Sequence, residues 1–146
     1  MQPSSSLSVW WEYGEINYLA FLLADDSAAY RQTLRQIIKS RSSWSVAAEA
    51  GDGAEAVRLA PECAPDVVLM DIHMPVMNGI EATSRIKRAM PGMRVIVFTG
   101  YDSEEFHRAS LQAGADHYLR KEDLSAQSLA QLITTFLSQN KEKHEM

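Results

Sequence analysis

Five short apolar runs recur along the chain, and each gives way to a polar exit and then to a helical repeat. Residues 19–24 read as a first buried strand. Residues 45–50, shorter and less apolar, read as an edge strand. Residues 67–70 and 95–98 are continuous apolar runs of the kind that fits a strand covered on both faces. Residues 115–119 make the fifth.

The segments between these runs carry helical spacing. From Ser27 onward, Tyr30, Leu34, Ile37 and Ile38 fall on one face. Asp52 and Glu55 predict a capping-box start for a second helix with Val57 and Ala60 inward, and Pro61 is expected to distort or end it early. Asn78, with Glu81 three residues on, caps a third helix whose inner face holds Thr83, Ile86 and Met90, and Pro91-Gly92 breaks it. Asp102 and Glu105 frame the fourth, with Phe106, Ala109 and Ala113 inward and Gly114 at the C-terminal cap position. The last, about residues 125–138, has an apolar stripe of Leu129, Leu132, Ile133, Phe136 and Leu137. Strands alternating with helices mean parallel βαβ units, an α/β three-layer sandwich.

Length and charge narrow the picture only modestly. The 146 residues suffice for one ordinary domain with a real core. A formal charge of −5 with no basic stripe argues against direct nucleic-acid binding. The lone Cys63 excludes an internal disulfide and fits a reduced, cytoplasmic setting. No apolar run approaches the roughly 20 residues of a membrane helix, and the N-terminus lacks the pattern of a secretion signal. Residues 1–18 begin Ser-rich and then crowd in Trp10, Trp11, Tyr13, Ile16 and Tyr18. They form an extension with no assigned role. A folded unit over 19–138 follows, and 139–146 reads as a polar tail or the start of a linker.

Chemistry gathers at the strand exits. Asp25-Asp26, Asp71, Thr99 and Lys121 each follow an apolar run, and in a parallel sheet all such exits lie along one edge. Three carboxylates brought together repel one another unless a cation joins them or one takes a proton. Mg²⁺ is the natural remedy, because it accepts one or two carboxylates together with phosphate oxygens. Three aspartates, one Mg²⁺ and Lys121 close to zero formal charge. A carboxylate beside a cation, a lysine and a hydroxyl donor is equipped to become an aspartyl phosphate.

In these motifs the chain resembles the receiver domain of two-component response regulators. The resemblance rests on Asp25-Asp26, the Asp71-to-Gly79 run (Asp-x-x-Met-Pro-x-Met-Asn-Gly), Thr99, and the Ala113-Gly114-Ala115-Asp116-x-Tyr118-Leu119-x-Lys121 run. It covers residues 19–138 and is greatest for regulators of the NarL/LuxR type, which usually carry a C-terminal helix-turn-helix domain controlling transcription. The resemblance implies a doubly wound, flavodoxin-like sheet of order 2-1-3-4-5. It implies that Asp71 accepts phosphate from a sensor histidine kinase. Asp25, Asp26, Asp71 and the His73 backbone carbonyl would hold Mg²⁺ (or Mn²⁺). Lys121 would pair with the phosphoryl group, Thr99 would swing towards it, and Tyr118 would turn inward behind Thr99. The face formed by the fourth helix, fifth strand and fifth helix would repack and could serve a homodimer. No turnover enzyme is implied.

Three further points follow. The family often has a cis proline after the lysine, whereas this chain has Glu122, so the Lys121-Glu122 bond is expected to be trans or strained. Tyr101 is bulky at a position the family uses to tune water access, which implies slow loss of the phosphoryl group. Two rival readings differ in class. A phosphorylation-independent binding or dimerisation module would leave the acidic site vestigial. A haloacid-dehalogenase-like phosphatase would need a second Asp where His73 stands.

Overall fold

The computed structural model describes residues 18–145. Its sheet has five parallel strands in the order β2-β1-β3-β4-β5. They are β1 (Leu19–Ala24), β2 (Trp44–Ala50), β3 (Val67–Asp71), β4 (Arg94–Thr99) and β5 (His117–Arg120). Five helices connect and follow them: α1 (Ala28–Lys39), α2 (Gly53–Cys63), α3 (Gly79–Ala89), α4 (Glu104–Gln112) and α5 (Ala126–Glu145). The expected class, strand order and edge position of β2 all hold.

Alternation along the strands divides the core in two. Leu22, Ala24, Val68, Met70, Val95 and Val97 point to one face, where α2 contributes Ala56 and Ala60 and α3 contributes Ala82 and Ile86. Phe21, Leu23, Leu69, Ile96 and Phe98 point to the other, under Leu34 and Ile38 of α1 and Leu129, Ile133 and Phe136 of α5. Both faces of β3 are therefore covered, which is why its sequence is apolar without a break.

Several local expectations need correction. Pro61 lies inside α2, which runs on to Cys63 and ends at Ala64 in the left-handed region with φ of 44°. Because Pro61 is exposed and in the last turn, its missing N–H removes one terminal bond without stopping the helix. Ser103, and not Asp102, caps α4 by accepting from the Phe106 N–H. β5 begins at His117, since the Asp116 carboxylate turns back to accept from the Val95 N–H and pairs with Lys87. α5 extends to Glu145, past the expected end near residue 138. The Leu137 side chain and residues 1–17 lie outside the described residues.

Two glycines set the backbone around the site. A Cβ at Gly79 would stand 1.9 Å from the Asp71 carbonyl oxygen, so only glycine lets α3 start against the end of β3. A Cβ at Gly53 would meet the Met77 carbonyl oxygen at 2.1 Å, which ties the start of α2 to the same loop. Within that loop the Met77 N–H donates to the Pro75 carbonyl at 2.7 Å, closing a three-residue turn on Val76 at φ of 69°.

Candidate functional site

Asp25, Asp26 and Asp71 come together at the carboxyl ends of β1 and β3, with carboxylate oxygens within 4.8 Å of one another. Asp25 is fully buried and Asp71 nearly so, while Asp26 is exposed. Each buried acid is held from several sides. The Asp25 N–H donates to the Ala50 carbonyl at 3.0 Å, its Oδ1 accepts from the Ser27 N–H at 2.7 Å, and Arg31 Nη1 donates to its carbonyl. Asp25 Oδ2 takes no well-aligned hydrogen bond, and the contact it does make is an ion pair with Lys121 Nζ at 2.8 Å. The same ammonium stands 3.8 Å from Asp71 Oδ2.

Burial pushes the Asp71 carboxyl up to about 7, and the charge on Asp25 adds to that. Lys121 and the His73 backbone N–H pull the other way without cancelling it. Three clustered oxygen donors and one cation leave the cluster short of positive charge, which suits a hard divalent cation.

Lys121 reaches the cluster from the start of a three-residue 3-10 turn, Lys121–Asp123. No cis peptide bond occurs among the described residues, so the Lys121-Glu122 bond is trans. Arg120 pairs with Glu122 at 3.0 Å and with Asp123 at 2.9 Å across that turn.

The other nominated residues line the side facing α4. Thr99 is buried, and its hydroxyl bonds only within its own loop, donating to the Tyr101 carbonyl and accepting from the Tyr101 N–H, both at 3.0 Å. Tyr101 itself is 70% exposed and meets Phe106 edge-on, with ring centres 6.4 Å apart. The exposed His73 ring packs on Phe106 at 5.1 Å. Tyr118 is half-buried. Its hydroxyl donates to Asp102 Oδ1 at 2.8 Å, and its ring stacks on His107 at 4.6 Å with 7° between planes.

Residues 21–134 match the family model of the response regulator receiver domain. The chain belongs to that family. It is 40% identical over 102 residues to an uncharacterised transcriptional regulatory protein of Bacillus subtilis, YxjL, covering 70% of this chain and 47% of that one. Among solved structures, a LuxR-family two-component response regulator from Aurantimonas superposes with a TM-score of 0.76 at 34% identity, covering 84% of this chain and 86% of that one. The CheX–CheY–BeF3–Mg²⁺ complex from Borrelia burgdorferi also gives 0.76, at 28% identity over 92% of this chain and 98% of that one. The chain spans about half the length of the curated transcriptional regulators it matches.

This receiver domain therefore brings Asp25, Asp26, Asp71 and Lys121 into one cluster. It holds Thr99 and Tyr118 in separate hydrogen-bonded arrangements at the α4 side. Sequence reasoning missed three contributors. Tyr30 was assigned only to the inner face of α1, yet its ring lies 4.2 Å from Lys121 Nζ. Asp102, expected to frame the start of α4, instead accepts from the Tyr118 hydroxyl, and His107, for which the sequence offers no signal, stacks on the Tyr118 ring. The only signal for Tyr30 was its place one helical turn after Asp26, on the side that faces the strand exits.

Proposed function

We propose that the receiver domain works as a phosphorylation switch in which Asp71 accepts a phosphoryl group from the phosphohistidine of a sensor histidine kinase. The observation that supports this most directly is Asp71 set between two further carboxylates and an ammonium. An Asp71 oxygen attacks phosphorus, the phosphorus–nitrogen bond breaks, and the imidazole leaves neutral, keeping the proton already carried by its other ring nitrogen. Asp71 must be ionised to attack, and its raised pKa makes a nearby positive charge a requirement. Lys121 supplies one such charge, and it gains the phosphoryl oxygens as partners once Asp71 carries the acyl phosphate.

The remaining charge falls to Mg²⁺ (or Mn²⁺), for which Asp25, Asp26, Asp71 and the His73 backbone carbonyl are the ligands we assign. When bound, such an ion offsets negative charge on the donor's oxygens. The Thr99 hydroxyl then exchanges its bonds to Tyr101 for the phosphoryl group, and Tyr118 leaves Asp102 and His107 for the space so opened. The exposed Tyr101 shields the phosphoryl group from water. Tyr101→Asn is expected to shorten the lifetime of the aspartyl phosphate several-fold, measured as the decay of phosphorylated mass.

We place the receiver unit at residues 19–138, flanked by 1–18 and 139–146, in a cytoplasmic protein that is not a turnover enzyme. Likeness to transcriptional regulators supports an output that controls transcription, with DNA contacts made outside this chain. We also propose a homodimer through α4, β5 and α5. Among the described residues, no helix is long and apolar enough to cross a membrane.

The test is phosphoryl uptake from acetyl phosphate or phosphoramidate, with and without Mg²⁺, read by intact mass on the parent and on Asp71→Asn. A Mg²⁺-dependent gain of one phosphoryl group, absent from the variant, is the expected result. No uptake by a folded parent would favour a phosphorylation-independent binding or dimerisation module.

A further inference from the structure

The Lys121 ammonium has a second set of neighbours besides its two carboxylates. Its Nζ stands 4.2 Å from the centre of the Tyr30 ring and 5.6 Å from that of Phe98. The two rings are themselves neighbours, 5.6 Å apart and inclined at 37°. Gly100 lies beside the lysine stem, where a Cβ would make an ordinary contact with Lys121 Cδ at 3.7 Å. Tyr30 Oη also lies 3.5 Å from the Lys121 carbonyl oxygen, at the outer limit of a hydrogen bond. Lysine carries four rotatable carbons and a point charge, so two acceptors alone leave its amino group free to pivot between them. An aromatic face under the ammonium removes that freedom, because the ring's negative face attracts the cation and excludes water from one side.

The backbone fixes where the lysine starts and leaves its ammonium to be placed by the side chains around it. Lys121 opens a short 3-10 turn followed by Glu122, and the bond between them is trans. The turn is pinned by Arg120 to Glu122 and Asp123, on side chains that are half-exposed. We propose that Tyr30 is a positioning residue that seats the Lys121 ammonium between Asp25 and Asp71, so that it meets the incoming phosphoryl group already placed. The inference rests on the switch reading above. Burial near Asp25 and Asp71 keeps the Tyr30 hydroxyl neutral well past physiological pH, so the ring offers a π face without adding a fourth negative charge.

Two variants separate the ring from its hydroxyl. Tyr30→Phe keeps the aromatic face, whereas Tyr30→Leu keeps an apolar filler without it. In the full chain, the Lys121 ε-methylene protons are expected well to high field of ordinary lysine in the parent and in Tyr30→Phe. In Tyr30→Leu they should return to the ordinary position. The rate of phosphoryl uptake from phosphoramidate at saturating Mg²⁺ should fall about tenfold in Tyr30→Leu and stay within about twofold in Tyr30→Phe. In a Lys121→Ala background, Tyr30→Leu should have no further effect on that rate.

Ordinary ε-methylene shifts in the parent would overturn the proposal, and this reading needs no variant to fold. Equal uptake rates for the parent and Tyr30→Leu would overturn it too, as would an undiminished effect in the Lys121→Ala background. A parent that takes up no phosphoryl group at all would instead remove the switch reading and this role with it.

Discussion

On the β1–α1 side of the site, Asp25 is fully buried and tied to Ala50, Ser27, Arg31 and Lys121, and Lys121 in turn lies over the Tyr30 ring. On the β4–α4 side, Tyr101 is 70% exposed, α4 buries only Ser110, and Tyr118 is fastened by a surface hydrogen bond and a stacked imidazole. The first side holds charge in place and has little room to rearrange. The second is joined by contacts that are individually weak and easily exchanged, as befits elements that move when a ligand or modification arrives. A switch needs both. Fixed charges make one covalent event favourable at one atom, and a loosely held wall turns that event into a change of surface.

Removing a fixed charge from the rigid wall should have the largest effect. Asp25→Asn keeps the shape of the wall but leaves Lys121 with one carboxylate and the metal ligands with one charge fewer. Phosphoryl uptake is expected to fall about 100-fold or more, in the same intact-mass assay, with the circular dichroism spectrum unchanged. An uptake within a few-fold of the parent would mean that Asp25 serves only to brace the turn into α1 through the Ser27 N–H.

Next in size is the cost of crowding carboxylates without a cation. Asp71 is lifted from its ordinary value of 3.8 to about 7, so between those limits the folded chain keeps a proton that the unfolded chain has lost. The contribution of Asp71 to stability is therefore complete below about pH 4 and is lost as pH rises to 7. In the absence of divalent ions, the parent is expected to lose about 2 kcal/mol relative to Asp71→Asn over that interval, roughly half of the ~4 kcal/mol that a rise from 3.8 to about 7 corresponds to, because the cluster is open to screening by water beside the exposed Asp26. Added Mg²⁺ should restore it at pH 8 in the parent alone. Denaturant melts at pH 4, 6 and 8 test this, and parallel profiles for the two proteins would refute it.

The yielding wall should respond to smaller changes. Asp102→Ala removes the nearer acceptor of the Tyr118 hydroxyl, at 2.8 Å, and leaves only the Ser103 carbonyl at 3.5 Å, a loss of about 1 kcal/mol. Released from it, Tyr118 occupies the inward position more often, and uptake from acetyl phosphate should rise about threefold to fivefold. Unchanged uptake would place Tyr118 outside the switching element.

How much of this was visible beforehand depended on how local each signal was. Asp52 and Asn78 cap their helices as expected, because each offers one short polar side chain immediately before a helical repeat. At α4 two adjacent residues, Asp102 and Ser103, can both cap. The choice is made by Tyr118, which lies 16 positions further on and claims Asp102. Asp116 continued a strand pattern in sequence, but its carboxylate replaces a strand-pairing group by accepting from the Val95 N–H. The site acids and Lys121 were legible because strand exits in a parallel sheet converge whatever the loops do. The seat of Lys121 was not, since an aromatic on the inner face of a helix looks the same whether it meets leucine or an ammonium.

The smallest effect is expected in the loop just after Asp71. Val76 is 83% exposed and sits at φ of 69°, a region that β-branched residues enter only at a cost of about 1–3 kcal/mol. Its side chain, being exposed, recovers little of that by packing, so the strain is held by the turn from Pro75 to Met77 and by the fit of Gly79 against β3. Asparagine tolerates the left-handed region and avoids the extra unfolded-state freedom of glycine. Val76→Asn should therefore stabilise the fold by about 1 kcal/mol in denaturant melts. Because Val76 is not one of the residues that carry the site's charge, uptake by Asp71 should stay within about twofold of the parent. If stability rises and uptake falls together, the strain in this loop sets the position of Asp71, and the rigid wall extends further round the site than its buried contacts indicate.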